Sequence, residues 1–147
     1  MGFIPHDAKW YLADIVEQIT VEDDSRSIVH TNSVLIRADS PEEAYAKATE
    51  LGQQGEISYE NPGGKQVRIT YRGLHDLNVI HDELEHGAEL IFSERADVDE
   101  LAIQQWVSEK QKLGVFAPIR PSNGLDYRAK DVVEEAHKLM QEHLEDV

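Results

Sequence analysis

KWYLADIVEQITV (Lys9 to Val21), EDDSR (Glu22 to Arg26) and SIVHTNSVLIRA (Ser27 to Ala38) together form the stretch that decides the fold. In the first segment Tyr11, Ala13, Ile15, Ile19 and Val21 share one parity, and Trp10, Leu12 and Val16 share the other. Alternation with apolar residues on both faces predicts a strand covered on both sides for much of its length. The five-residue polar segment is a turn. Ser27 to Ala38 is rich in β-branched residues and reads as a second strand. Two long strands joined by so short a connection must run antiparallel, because a parallel return needs a long crossover.

Working outward, Ser40-Pro41-Glu42-Glu43 is a helix start: a hydroxyl at the N-cap, proline at the first helical position, and glutamate at the third. Ala44, Tyr45, Ala48 and Leu51 then mark one buried stripe, and Gly52 is placed to end the helix. Glu56 to Tyr59 is a short strand, and Asn61-Pro62-Gly63-Gly64 a hairpin turn. In Gln66 to Arg72, Val67, Ile69 and Tyr71 alternate with Gln66, Arg68, Thr70 and Arg72, the pattern of a half-exposed strand. Beyond Gly73, Leu74 to Ile80 continues the sheet past a bulge or bend. Ala88 to Ser93 reads as a last short strand.

The remainder is predicted helical. Asp97 and Glu100 form a second capping pattern, with Val98, Leu101, Ala102 and Trp106 behind it and Gly114 as the stop. Val115 to Tyr127, with Pro118, Pro121 and Asn123-Gly124, is a linker. A final helix runs from about Tyr127 to Leu144, with Asp126 as its cap and Val132, Val133, Ala136, Leu139, Met140 and Leu144 as its stripe. The expected architecture is α+β: an antiparallel sheet of about five strands, order ββαβββ, with a helix on one face, then two C-terminal helices. The expected domains are a core over 9–95 and a helical extension over 96–147 that packs on the core or on a second subunit.

Composition narrows the function. The chain has 147 residues, enough for a core without staples. With no cysteine there is no disulfide framework, thiol nucleophile, thiolate zinc site or iron–sulfur cluster. A net charge of −15 argues against direct binding to nucleic-acid backbone or an anionic membrane. Met1 to Trp10 lacks the basic and apolar regions of a secretory signal, so a cytoplasmic location is expected.

Trp10-Tyr11-Leu12-Ala13-Asp14-Ile15, Ser40-Pro41-Glu42-Glu43-Ala44 and Arg72-Gly73-Leu74-His75-Asp76-Leu77-Asn78 resemble a small bacterial family, domain of unknown function 4288. The resemblance spans roughly residues 9–92 and leaves the two C-terminal helices outside. It implies a bacterial cytosolic protein and brings no catalytic residue with it.

Four features invite a functional reading. The first is His75-Asp76 with His81-Asp82-Glu83 and His86, where imidazoles and carboxylates suit a divalent transition metal. The spacing is not the zinc-helix His-Glu-x-x-His, and the bland alternative is a solvated acidic loop. Arg68 and Arg72, with Thr70 between them, are a candidate anion site; the alternative is cross-strand ion pairing. Trp106 lies on a weakly amphipathic helix and is a candidate interface anchor. Finally, residues 81–100 hold eight acids against one arginine, and 131–147 six against one lysine. Such charge confers solubility or recognises a basic partner.

No nucleophile elbow or phosphate loop is present in the sequence. The leading expectation is a non-enzymatic interaction or ligand-binding domain that needs no cofactor and forms a homo-oligomer. One alternative is a metal-dependent hydrolase using His75, Asp76, His81, Asp82, Glu83 and His86. The other is an antitoxin-like or immunity protein that covers a basic partner.

Overall fold

The structure, a computed structural model, describes residues 7–117 and 124–145, with side chains of the last helix to residue 142. Strand β1 (Trp10–Val21) is followed by β2 (Ser27–Arg37), helix α1 (Pro41–Gln54), β3 (Ile57–Glu60) and β4 (Gln66–Val79). Helix α2 (Glu100–Trp106), a 3-10 turn (Lys110–Lys112) and helix α3 (Lys130–Glu145) complete the chain. Pro118, Pro121 and Asn123 of the expected linker lie outside the described residues, as do residues 1–6 and the side chain of Leu144.

The strands form one antiparallel sheet in the order β2-β1-β4-β3. The fold is therefore α+β, with four strands and not about five, and with ββαββ in place of ββαβββ. Ala88 to Ser93 is not a strand. The chain turns there instead: Gly87 has φ 87°, Ala88 N–H donates to Glu85 O at 3.0 Å, and Glu89 N–H donates to Asp82 Oδ2 at 3.0 Å. The stretch of β4 that β3 leaves unpaired would be the place for a fifth strand. Register shifts interrupt that stretch, so it offers no regular ladder.

The hairpin β1–β2 keeps one register over its length, from Trp10 opposite Arg37 to Thr20 opposite Ser27. Tyr11, Ala13, Ile15, Ile19 and Val21 are all buried on one face, as their parity requires, and Leu12 is buried on the other at 8% exposure. Two apolar clusters share the first face. Tyr11, Ala13, Ile36 and Ala38 pack with Ala44 and Ala48 of α1. Ile19, Val21 and Val67 pack with Leu125, which lies outside any helix or strand.

Helix α1 starts where its sequence places it: Glu43 N–H donates to Ser40 Oγ at 3.1 Å. The glutamate side chain reaches one residue further back than in a standard capping box, accepting from Asp39 N–H at 3.3 Å. Gly52 does not end the helix, which runs on to Gln54 and closes at Gly55. Gly52 is instead a packing residue, since a Cβ there would lie 2.3 Å from the Tyr71 ring of β4. Helix α2 is capped by Asp99, not Asp97, with Ala102 N–H donating to Asp99 Oδ1 at 2.8 Å; Asp97 has φ 55°. This helix stops at Trp106, and Lys110 and Lys112 form the separate 3-10 turn.

The chain divides into two compact units, Met1–Ile91 with Leu125–Val147, and Phe92–Gly124. Among the described residues no helix is long and apolar enough to cross a membrane.

Candidate functional site

The most unusual backbone lies where β4 crosses β1. Tyr71 is opposite Glu17 and Gly73 opposite Val16, so Arg72 has no partner. Leu74 is opposite Ile15 and Asp76 opposite Asp14, so His75 has none either. Each is the extra residue of a β-bulge. Gly73, at φ 133°, supplies the conformation that an L side chain rarely adopts. The bulges rephase the strand, so that Leu74 faces Ile15 and Leu77 faces Ala13 beside the core. Bulges often re-aim side chains near functional sites, and these two carry residues that the sequence singles out.

Arg72 Nη1 donates to Gln18 Oε1 at 3.3 Å, and Arg68 is opposite Thr20 on the same strand pair. Both arginines are exposed, and neither makes an ion pair with the described carboxylates. Asp76 accepts from Asn78 Nδ2 at 2.8 Å and from Leu77 N–H at 2.9 Å. Those bonds, with a smaller contribution from nearby His75, hold its carboxyl below the usual range. Its oxygens are thus engaged in bracing the strand just after the bulge.

Asp76 also stands directly opposite Asp14, whose Oδ1 accepts from Ser33 Oγ of β2 at 2.6 Å. Asp14 and Ser33 are neighbours that the sequence reading does not pick out. Their signal is there: Asp14 is the one charged residue in an otherwise apolar run from Trp10 to Val16.

His81, Asp82, Glu83 and His86 sit on the exposed chain after β4, apart from the bulges. Asp82 is used in its own turn, accepting from Glu89 N–H. Among the described residues no group of three or more histidines and carboxylates is placed to hold a metal ion. The segment is brought together by sequence and not by folding.

The two C-terminal helices present a different kind of surface. None of the residues of α2 is buried. Trp106 is 71% exposed, with the Arg95 guanidinium 4.9 Å from its ring centre, a cation–π contact within that unit. On α3 every described side chain is exposed except Val133, which is half-buried. Val132, Ala136, Leu139 and Met140 nevertheless follow the i, i+4, i+7, i+8 spacing of one helix face. Asp131, Glu134, Glu135, Lys138, Leu139 and Glu142 line a groove along this helix, about 480 Å³ in volume.

No curated protein and no solved structure matches the chain. A family match does exist, described as Domain of unknown function (DUF4288), over residues 10–92. That span takes in β1, β2, α1, β3 and β4, the whole sheet with both bulges and the loop after it. The chain, which has this sheet as its core and carries α2 and α3 beyond it, belongs to the DUF4288 family.

Proposed function

We propose that the protein is a binding module that acts through its surface, with α3 as the element that enters a partner's groove. One observation carries this reading: α3 has the apolar periodicity of a packed helix, yet its stripe of Val132, Leu139 and Met140 lies open. An amphipathic helix normally buries that stripe, and docking into an apolar groove is a recurring mode of recognition. Carboxylates of Asp131, Glu135 and Glu142 border one side of it, so the complementary partner is a protein with an apolar groove bordered by basic residues. A cytosolic setting in a bacterium accords with the family resemblance and with the cysteine-free chain.

The test places a photo-cross-linking amino acid at Leu139 in the full chain, in its native cell. The expected result is one discrete adduct with a basic protein, lost in Met140→Asp and weakened by salt. No adduct, together with a stoichiometric transition metal in untagged protein that His81→Ala and His86→Ala remove, would overturn the reading in favour of a metal-dependent hydrolase.

A further inference from the structure

A sheet has edges, and this one treats them unequally. At one side β3 is only four residues long, Ile57–Glu60, and ends on a glutamate. Beyond it β4 is open, but the bulges at Arg72 and His75 break its ladder there, and Glu56 Oε2 accepts from Tyr71 N–H at 3.3 Å. Short strands, bulges and side-chain caps are the usual means of blocking stray pairing. At the other side, β2 has eleven residues in one unbroken register. From Ser27 to Ile36 it contains no proline, glycine, lysine, arginine or carboxylate.

The hydrogen-bond phase says which groups of β2 face outward. Ala38 N–H donates to Lys9 O at 3.0 Å, and these two are partners in the β1–β2 register. In an antiparallel pair such bonded partners alternate. The even-numbered residues of β2 therefore bond β1, and Val29, Thr31, Ser33, Leu35 and Arg37 turn their N–H and C=O groups away from the sheet. Lys47 of α1 confirms the phase, donating from Nζ to Arg37 O at 2.7 Å. It also closes that end of the edge. The four residues left, Val29, Thr31, Ser33 and Leu35, are symmetric about Asn32.

We propose that β2 is a self-association edge, where a second copy of this chain pairs antiparallel with the first about a two-fold axis at Asn32. A two-fold axis makes a strand its own antiparallel partner, so the edge is self-complementary. The register that uses all four open residues sets Thr31 against the partner's Ser33, and Val29 against the partner's Leu35. Those two apolar side chains are 59% and 46% exposed in the single chain. The same register sets Ile28 against the partner's Ile36 and His30 against its Val34, so inner face meets inner face. A second copy is favoured over another protein by this symmetry, and by a strand free of carboxylates on a chain of charge −15. The carboxylates nearest the axis, Glu17 and Asp14 of β1, are engaged within their own chain, accepting from Asn32 Nδ2 at 3.1 Å and from Ser33 Oγ at 2.6 Å. The surface is distinct from α3, and the proposal stands or falls separately from the reading above.

The test is sedimentation equilibrium of the full chain with three variants. Thr31→Pro removes only an outward N–H, which an edge strand tolerates; Leu35→Lys places a charge against the partner's Val29. Asn32→Cys puts a lone cysteine on the axis of a cysteine-free chain. Non-bonded partners there have Cα atoms about 4.5 Å apart, within the range of a disulfide. Expected are a dimer for the native chain, a dissociation constant raised about tenfold or more in both edge variants with circular dichroism unchanged, and a disulfide-linked dimer for Asn32→Cys but not for Glu60→Cys on β3. Salt should strengthen this dimer by screening like charges, opposite to its effect on a basic partner. A native chain that stays monomeric would overturn the proposal. So would a dimer that ignores both edge variants and forms no link at residue 32, which would place the interface elsewhere and leave the α3 reading intact.

Discussion

The two apolar clusters on the inner face of the sheet are covered in contrasting ways. Over Tyr11, Ala13 and Ile36 lies a helix, with Ala44 and Ala48 as its contact surface. Over Ile19, Val21 and Val67 lies a piece of irregular chain, with Leu125 as its contact. The helix meets its own backbone hydrogen-bond needs and can rest on the sheet through small side chains alone. The irregular segment cannot. Its carbonyls are met by side chains of β3 and of the turn after it: Tyr59 Oη donates to Tyr127 O, and Asn61 Nδ2 donates to Asp126 O at 3.0 Å. Asn61 is buried, and its Oδ1 in turn accepts from Lys65 N–H at 2.9 Å, so one side chain ties the β3–β4 turn to the segment. His30 packs edge-on against the Tyr127 ring, 5.5 Å between centres. One cover is formed from near neighbours in sequence; the other arrives from about sixty-five residues away and is held by specific bonds.

Covered so differently, the two ends should fail differently. The largest effect is expected for Leu125→Ala. This side chain is 2% exposed and fills its end of the core, so its truncation should cost about 2–5 kcal/mol, read as a lower urea midpoint. Hydrogen exchange should accelerate at Ile19 and Val67 before it does at Ala44 and Ala48. Equal acceleration at both ends would show that the two clusters open as one unit.

Gly52→Ala probes the helix-covered end. Alanine favours a helix over glycine by about 1 kcal/mol, yet the new Cβ would meet the Tyr71 ring at 2.3 Å. Overpacking of this kind costs about 1–3 kcal/mol, so set against the helix gain a net loss of up to about 2 kcal/mol is expected. A stabilised variant would mean that the Tyr71 ring moves aside freely and that the helix rests on the sheet less tightly than its small residues suggest. Ser40→Ala should cost about 1 kcal/mol by leaving Glu43 N–H without its cap, again seen in the denaturant midpoint.

These two residues also show what could be read in the sequence and what could not. Ser40, Pro41 and Glu43 act on groups within four residues of themselves, so their pattern is legible as written. Gly52 looks like a helix stop because glycine often is one; its reason for being glycine is Tyr71, a contact across the sheet. The alternation of Val67, Ile69 and Tyr71 gives the strand and its inward face, and Gly73 marks the bulge beyond it. Ala88 to Ser93 has strand composition but no regular edge to join, which depends on the bulges in another strand. Leu125 carries no local sign that it belongs to the core. The histidine and carboxylate segment invites a metal reading because its members are close in sequence. Whether they converge depends on where the chain turns, and His75 and Asp76 stay in β4 while His81 to His86 leave it.

The smallest effect should come from acid, and its sign follows from the carboxylates at the irregularly covered end. Asp24, in the β1–β2 turn, accepts from Arg26 N–H at 3.0 Å, Nε at 2.9 Å and Nη2 at 2.6 Å. Those bonds lower its pKa from 3.8 to about 2. Asp126 is lowered for the same reason by Arg128, and at the other end Asp39 and Glu43 are lowered by Lys9 and Lys47. A carboxyl whose folded pKa lies below its unfolded one stabilises the fold fully above the unfolded value. That contribution fades as pH falls through the folded one. The urea midpoint should therefore drop between about pH 4 and pH 2, the interval these shifts define. Asp24→Asn should flatten part of that drop by slightly lowering the midpoint at neutral pH while changing little near pH 2. Because the pair is open to water, high salt should shrink the difference. If Asp24→Asn loses stability in acid as steeply as the native chain, the turn's ion pair contributes nothing, and the irregularly covered end is held by the Leu125 cluster and the bonds of Tyr59 and Asn61 without it.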